Sequence, residues 1–240
     1  MLAALFAAYM RIVFIAVLGS ALLPLTFPIH AADLAATKHG DGPAQAQSAP
    51  DATKAMKTFK FDHGLTVSLF ASEPLLANGV AFSPDEQGRW YIAESYRQER
   101  GIEDNRGHMN WLDDDIASKS IEDRLAMMRK FYPDPAKFAE RFEKFEERVT
   151  RIEDSNADGV ADKTTIFADG FREPLDGTGA GIISRGNEVW WTCIPNLWRF
   201  QDSNGDGVAD VRDKQLTGFG VKFAFRGHDM HGLRLSLIHI

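Results

Sequence analysis

A repeat about 48 residues apart constrains this chain more than any other feature of its sequence. The segment Arg151–Phe171 (RIEDSNADGVADKTTIFADGF) matches Arg199–Phe219 (RFQDSNGDGVADVRDKQLTGF). A pair of apolar runs precedes each copy, at 79–82 and 90–93 before the first and at 181–183 and 189–192 before the second. A third unit opens at Gly232–Leu233. Self-similarity at a fixed period predicts stacked copies of one supersecondary unit.

Each unit predicts four short strands separated by turns, and a period of about 40 to 50 residues is typical of β-propeller blades. We therefore predict an all-β fold, a β-propeller with a helical insertion. Only about two and a fraction four-stranded blades are present, which cannot close a ring, so we expect the N-terminal fragment of a larger propeller. Such a fragment would leave apolar faces exposed and would be unstable by itself.

Residues 97–147 interrupt the first unit between its second and third strands and have helical periodicity. A helix start is expected at Ser120–Asp123, and prolines at 133 and 135 end that helix. A second, charged helix is expected over 136–147, with three phenylalanines aligned on one face. We favour a helical cap over one face of the propeller; the alternative is a hairpin that docks a partner.

The N-terminus has the order of an export signal: Arg11, an apolar stretch over 12–25, prolines, and the small residues Ala31 and Ala32. We predict a signal peptide over 1–31, cleaved after Ala31, and export to the periplasm or the cell surface. The alternative is an uncleaved membrane anchor over 2–25, in which Arg11 would cost about 2.5 to 3.5 kcal/mol at the bilayer centre. Residues 32–56 are predicted to be a disordered tether, and the propeller domain to span 57–234 with a first strand within 65–70.

Composition and single residues exclude several classes. The formal net charge of −7 and the lack of a Lys/Arg-rich run exclude a nucleic-acid footprint. Cys193 is the only cysteine, so no intramolecular disulfide forms and no CxxCH motif attaches haem within this sequence. The last six residues, 235–240 (LSLIHI), resemble the translation of a sequencing-library adapter, and we expect an artefact there; the alternative is a genuine apolar strand.

Two loops within the repeat share the spacing DxNxDGxxD, which places oxygen donors at positions one, three, five, seven and nine. This spacing is typical of calcium loops, whose glycine at position six permits the sharp turn and whose seventh ligand is a backbone carbonyl. The alternative is a pair of metal-free Asp-Gly hairpin turns. The predicted ligands are Asp154, Asn156, Asp158, Val160 and Asp162 in the first loop, and Asp202, Asn204, Asp206, Val208 and Asp210 in the second.

A polar cluster, Arg226–Leu233 (RGHDMHGL), precedes the first strand of the third unit. A histidine beside a carboxylate can be held in one tautomer and act as a general base, although most loop histidines are structural or solvated. Glu94, Tyr96 and Arg97 leave the second strand of the first unit and are expected to line the same central channel. Tryptophans at 190, 191 and 198 are expected to pack between the blades.

The segments LFASEP (69–74), VAFSPD (80–85) and GHDMHGL (227–233), with the two aspartate loops, resemble the membrane-bound dehydrogenase domain of planctomycete-type bacteria. That family is similar to the soluble quinoprotein glucose and sorbosone dehydrogenases, which are six-bladed propellers. Its members are often fused to downstream helical repeats and a CxxCH cytochrome domain. The resemblance covers about 59–234.

The resemblance implies oxidation of a sugar or polyol, in which a histidine removes a hydroxyl proton and pyrroloquinoline quinone accepts hydride. It implies His231, or His228 paired with Asp229, as the base. Arg226, Glu94 and Arg97, which are expected at the central channel, are the predicted cofactor contacts. A cytochrome c domain, downstream or on another chain, would be the electron-transfer partner. The fragment itself is expected to be inactive. The alternative is a non-catalytic, calcium-stabilised propeller that binds glycans or proteins.

Overall fold

The structure is a computed structural model that describes residues 15–16, 49–61, 64–223 and 229–236. Nearly all of the predicted signal peptide, including the cleavage position after Ala31, lies outside the described residues, as do most of the tether and the last four residues.

The N-terminal elements are short. Strand β1 (Ile15–Ala16) pairs antiparallel with β2 (Ser68–Leu69), and helix α1 (Ala49–Met56) lies between them in the chain. The helix differs from the expected disordered tether up to residue 56, because Ala52, Lys54, Ala55 and Met56 all favour helix. The first strand is shorter than the expected 65–70, and Leu65 is 47% exposed.

The first repeat unit folds as one four-stranded antiparallel sheet, here sheet one. Its strands are β3 (Gly79–Pro84), β4 (Trp90–Glu94), β5 (Glu147–Glu153) and β6 (Lys163–Phe171), hydrogen-bonded in chain order. The two expected apolar runs form β3 and β4, and the repeated motif supplies β5 and β6. The prediction of a four-stranded unit is confirmed.

The second repeat unit forms sheet two in the same order. Its strands are β7 (Gly179–Arg185), β8 (Glu188–Cys193), β9 (Asn196–Gln201) and β10 (Val211–Thr217). The first strand of each sheet carries a register shift near its start, between Gly79 and Ala81 in β3 and between Gly179 and Gly181 in β7. Residues 229–236 follow sheet two without forming a strand among themselves, although a third unit was expected to open there.

The two sheets pack through one apolar core, in which β7 lies against β3 and β4. Trp191, Phe200 and Phe167 are its large members, each at most 1% exposed. Of the three tryptophans expected between blades, Trp191 is fully buried, whereas Trp190 and Trp198 are half-buried. Gly179 permits the close approach, since a β-carbon there would lie 2.1 Å from the Trp191 ring.

The insertion between β4 and β5 is helical, as predicted. It contains two 3-10 turns (Asn105–Gly107 and Met109–Trp111) and the helices α2 (Leu112–Ala117), α3 (Ile121–Phe131) and α4 (Pro135–Phe142). Ser120 caps α3 in a capping box with Asp123, which confirms the expected helix start. The prediction that the last helix runs to residue 147 is wrong: α4 ends at Phe142, and Glu147 begins β5.

The insertion fastens to the loops that flank sheet two. Arg124 on α3 donates hydrogen bonds to the carbonyls of Leu175 and Gly220. In return, Lys222 Nζ donates to the carbonyls of Asp115, Ile116 and Ser118. The insertion therefore covers one end of both sheets, although its chain connections belong only to sheet one.

The described part of the chain is thus mostly β, with two open four-stranded antiparallel sheets and a few helices. A closed ring is not observed. Within the same residues, no helix combines the length and apolarity needed to cross a bilayer.

Candidate metal loops and a buried polar site

The two aspartate loops occupy matching places in the fold. The first, 154–162, connects β5 to β6, and the second, 202–210, connects β9 to β10. Each therefore joins the third strand of a sheet to its fourth. The sequence repeat is thus reproduced as a repeat in three dimensions, and the predicted ligands of both loops occupy equivalent positions between the third and fourth strands.

Within the first loop, the carboxylates fold back onto backbone amides. Asp154 accepts hydrogen bonds from the amides of Asp158 and Gly159, at 3.2 and 2.8 Å. Asp162 accepts from the amide and hydroxyl of Ser155, at 2.9 and 2.8 Å, and these bonds lower the pKa of its carboxyl. This pattern fixes the loop's curvature through its first and last carboxylates.

The second loop repeats the pattern 48 residues later. Asp202 accepts from the amide of Gly207 at 2.8 Å, and Asp210 accepts from the amide and hydroxyl of Ser203, both at 2.8 Å. The hydroxyl and amide of Ser203 lower the pKa of Asp210. Asn204 and Asp206 are exposed and bonded to each other at 3.1 Å, as are Asn156 and Asp158 in the first loop.

The donors of both loops suit calcium by type, since they are carboxylate, amide and backbone carbonyl oxygens, with no sulfur or imidazole. The residues proposed for the carbonyl ligand, Val160 and Val208, are 50% and 40% exposed, so their backbones lie at the surface. Nowhere in the described ranges, however, do three or more His, Cys, Asp or Glu side chains stand together as a ready metal site. Calcium binding would therefore require the side chains of each loop to turn toward one common centre.

The second loop also makes an ion pair with a buried arginine of sheet one. The guanidinium of Arg151, on β5 of sheet one, lies 3.1 Å from Asp202 of sheet two and is also paired with Glu153 at 2.8 Å. Arg151 is only 2% exposed. The first ligand of the second loop is therefore already neutralised by a buried cation across the interface between the sheets.

A buried polar cluster occupies the other end of the sheets, beneath the insertion. Glu94, at the end of β4, is fully buried and accepts hydrogen bonds from the Ala77 amide, the Tyr96 hydroxyl and the Arg148 guanidinium, at 2.8, 3.0 and 2.6 Å. Burial raises the pKa of Tyr96, so its hydroxyl stays protonated and can donate to Glu94. Glu94 was expected to line a channel; in the described part of the chain its side chain is enclosed.

Arg97 is also enclosed. Its side chain is fully buried, donates to the carbonyls of Glu173 and Phe142 at 2.7 and 3.0 Å, and lies 4.0 Å from Asp176. Both Glu94 and Arg97 are thus occupied by contacts within the chain. Their assignment as cofactor contacts stays a prediction; in the described part of the chain these side chains bond to other residues of the chain.

Glu147 was missed by the sequence interpretation and lies at the centre of this cluster. It is fully buried, and its carboxyl accepts hydrogen bonds from the amides of Tyr96, Arg97 and Gly179 and from the Ser95 hydroxyl. Burial raises its pKa to about 7, although the amides favour the ionised form. Burial likewise raises the pKa of Asp176 to about 6. Strongly shifted acids of this kind are frequent at functional sites.

The polar segment after sheet two is held against β7 and β8. Asp229 accepts a hydrogen bond from the Thr178 amide at 2.8 Å, and the Thr192 hydroxyl donates to the Met230 carbonyl at 2.6 Å. A β-carbon on Gly181 would lie 3.2 Å from the Cα of His231. The His231 side chain is exposed. Arg226 and His228 lie outside the described residues, so the expected His228–Asp229 pair does too.

The signal that could have revealed the buried acid was the position of Glu147 at the start of the third strand. That position was assigned to a helix, and its hydrogen-bond partners come from residues 95–97 and from Gly179, which are far away in the sequence. No side-chain pattern within 136–147 announces those contacts.

The comparisons with known proteins find one family. No curated protein and no solved structure shows significant similarity to the chain. One family profile matches residues 51–237, which include both sheets, both aspartate loops and the insertion. The chain therefore belongs to the family described as a domain of unknown function, DUF7133.

Proposed function

We propose that the chain is part of a calcium-stabilised β-propeller. The observation that carries this proposal is that two consecutive sheets have the same strand order and the same aspartate loop between their third and fourth strands, and that they pack face to face through β7. The segment 229–232 supports it as well, because it meets β7 and β8 on the side where the first strand of a further sheet would lie.

Each aspartate loop would hold one calcium ion through Asp154, Asn156, Asp158, the Val160 carbonyl and Asp162, or through their counterparts from Asp202 to Asp210. The ion would bring together carboxylates that otherwise repel each other at the loop's surface. Bound calcium would stabilise the turn between the two outer strands and, with it, each sheet.

Thermal denaturation with and without calcium tests the proposed ion. Calcium at about 100 times its Kd should stabilise the wild type by about 2.7 kcal/mol per site, or several degrees in Tm. The double variant Asp158→Asn/Asp206→Asn should lose this shift, whereas Asp113→Asn, an exposed change on α2, should keep it. Equal melting of the wild type with calcium and with chelator would end the idea.

Within this architecture we infer an exported sugar or polyol dehydrogenase, in which His231 accepts the proton of a substrate hydroxyl. His231 supports this role because it is exposed beside the inner strand β7 while its backbone is held by the neighbouring contacts of Asp229 and Met230. Hydride acceptance would come from a bound redox cofactor such as pyrroloquinoline quinone. A cytochrome c domain, in the same polypeptide or on another chain, would then receive the electrons.

A second candidate function is a non-catalytic propeller that binds glycans or proteins. The enclosure of Glu94 and Arg97 favours this alternative, since the acid and the cation expected at a cofactor hold the sheets and the insertion together instead. The two candidates share the calcium loops and differ in whether any redox chemistry occurs.

A dye-linked oxidation assay on the full-length gene product, with calcium and pyrroloquinoline quinone, separates the two candidates. The dehydrogenase predicts turnover on some member of a sugar and polyol panel. His231→Gln should then lower the rate by about 100-fold or more, as expected for loss of a general base. His108→Gln is the control, because His108 lies on the insertion and pairs with Glu103. No turnover across the panel by a folded wild type would favour the binding module.

A further inference from the structure

The segment around β2 contacts sheet one in the same way that β6 contacts sheet two. The two segments share a short motif: Leu69-Phe70-Ala71 corresponds to Ile166-Phe167-Ala168. Both phenylalanines are buried, with 8% and 1% of their surface exposed, and both alanines are at most 2% exposed. The second copy of the motif lies in β6, the fourth and outer strand of sheet one.

The same backbone hydrogen bond fixes each segment. The Ala161 amide of the first aspartate loop donates to the Phe70 carbonyl at 2.8 Å, and the Ala209 amide of the second loop donates to the Phe167 carbonyl at 2.8 Å. Ala161 and Ala209 are equivalent positions of the repeat. Each loop is therefore bonded to an outer strand that precedes its own sheet.

The apolar contacts repeat as well. Phe70 belongs to a cluster with Ile152 and Ala161, and Phe167 belongs to one with Phe200 and Ala209. Ile152 and Phe200 are again 48 residues apart and occupy the third strands of their sheets. The segment around β2 thus makes the contacts of an outer strand that belongs to a sheet ahead of sheet one.

That sheet is incomplete in the part of the chain that is described. Strand β6 is hydrogen-bonded along β5, whereas β2 pairs only with the two residues of β1 among the described residues. Strand β1 lies in the segment expected to be removed on export. At the opposite end, 229–232 is held against β7 and β8, where the first strand of another sheet would lie.

We propose that β2 is the outer strand of the sheet that closes the ring, and that the last repeat unit of the same polypeptide supplies the three inner strands of that sheet. The inference rests on the proposed propeller. The N-terminal end of the two-sheet stack presents an outer strand, β2, and the C-terminal end leads into the inner strand of a further sheet. Pairing β2 with the inner strands of the last unit would therefore complete one sheet. Hydrogen bonds between distant parts of the chain would then hold the ring shut.

The full-length gene product, studied by hydrogen exchange with mass spectrometry, tests the closure. Ser68→Pro removes a backbone donor from β2 at an exposed position and leaves the Phe70 contacts in place. We expect amide protection in the last repeat unit to fall by about tenfold or more while β3, β4 and β5 stay protected. Lys60→Pro, in the exposed segment between α1 and β2, is the matched control and should change neither region.

Two results would overturn the inference. One is loss of protection confined to β2 and sheet one. The other is a wild-type dimer in light scattering that Ser68→Pro dissociates, since β2 would then complete a sheet in a second copy. Small-angle scattering and the calcium melting shift, measured on the same samples, test the propeller itself. If the wild type is a compact ring but Ser68→Pro leaves amide protection in the last repeat unit unchanged, only the closure by β2 is rejected.

Discussion

Replacing Gly207 with alanine should destabilise the protein far more than the same change at the equivalent Gly159. Both glycines occupy position six of an aspartate loop and have left-handed backbones, with φ of +94° and +89°. A β-carbon at Gly159 would meet nothing within 4 Å, whereas one at Gly207 would lie 2.5 Å from the Arg151 guanidinium. Comparing the two alanine variants therefore separates the cost of backbone strain from the cost of the collision with Arg151.

The expected magnitudes follow from these contacts. A left-handed alanine costs about 1 to 2 kcal/mol relative to glycine, and this cost applies to both variants. Gly207→Ala must also displace Arg151, which is 2% exposed and lies 3.1 Å from Asp202. Removing one partner of a buried ion pair costs about 3 to 5 kcal/mol, and a displaced Arg151 keeps Glu153 as a partner, so the collision should cost only part of that amount. We therefore expect losses in the free energy of unfolding of about 1 to 2 kcal/mol for Gly159→Ala and about 3 to 5 kcal/mol for Gly207→Ala.

Urea denaturation followed by far-UV circular dichroism measures the two losses. Gly205→Ala is a second control, because its φ is +81° and nothing lies within 4 Å of the added carbon. Arg151→Met, alone and combined with Gly207→Ala, completes a double-mutant cycle in which the extra loss should shrink once the guanidinium is gone. Equal losses for Gly159→Ala and Gly207→Ala would refute the reasoning.

Four further predictions concern Glu147, Gly179, Ser120 and the mature N-terminus. The pKa of Glu147 is about 7 in the folded protein, above its ordinary 4.5, so its contribution to stability is complete below pH 4.5 and is lost as the pH rises through 7. The free energy of unfolding should therefore fall by about 3 kcal/mol between these pH values. Glu147→Gln should make the free energy of unfolding less dependent on pH over that range. Gly179→Ala should lower the free energy of unfolding by about 3 kcal/mol or more and alter the near-UV dichroism of Trp191, whose ring would lie 2.1 Å from the new carbon. Ser120→Ala should cost about 1 kcal/mol in urea denaturation through loss of the α3 cap, and Ser120→Thr should recover most of it. Mass spectrometry of the exported protein should find an N-terminus at Ala32; recovery of the intact N-terminus from membranes would support the anchor instead.

The sequence could predict those parts of the fold that depend on local pattern or on the repeat. The 48-residue period predicted both four-stranded units, because the same apolar alternation and the same Asp-Gly turns recur. Ser120 and Asp123 predicted the start of α3, since a capping box involves only four consecutive residues. These features need no knowledge of distant contacts.

The candidate site was harder to predict, because its environment comes from segments far apart in sequence. Glu94 and Arg97 were assigned to a channel wall, but the insertion and the start of β5 enclose them. Glu147 was assigned to a helix, yet it accepts hydrogen bonds from residues about 50 positions earlier and from Gly179. Its raised pKa follows from that burial, which no local pattern encodes.

The fastening of the insertion to the loops around sheet two sets the order in which the chain can mature on the ribosome. Sheet one is complete once Phe171 has emerged, but Arg124 finds its acceptor at Gly220, and Lys222 reaches the carbonyls of α2 and its C-terminal cap, only about fifty residues later. Until then the insertion is held only by earlier contacts, among them the bonds from Arg124 to Leu175 and from Arg97 to Phe142. Translation of sheet two is therefore what completes the attachment of the insertion.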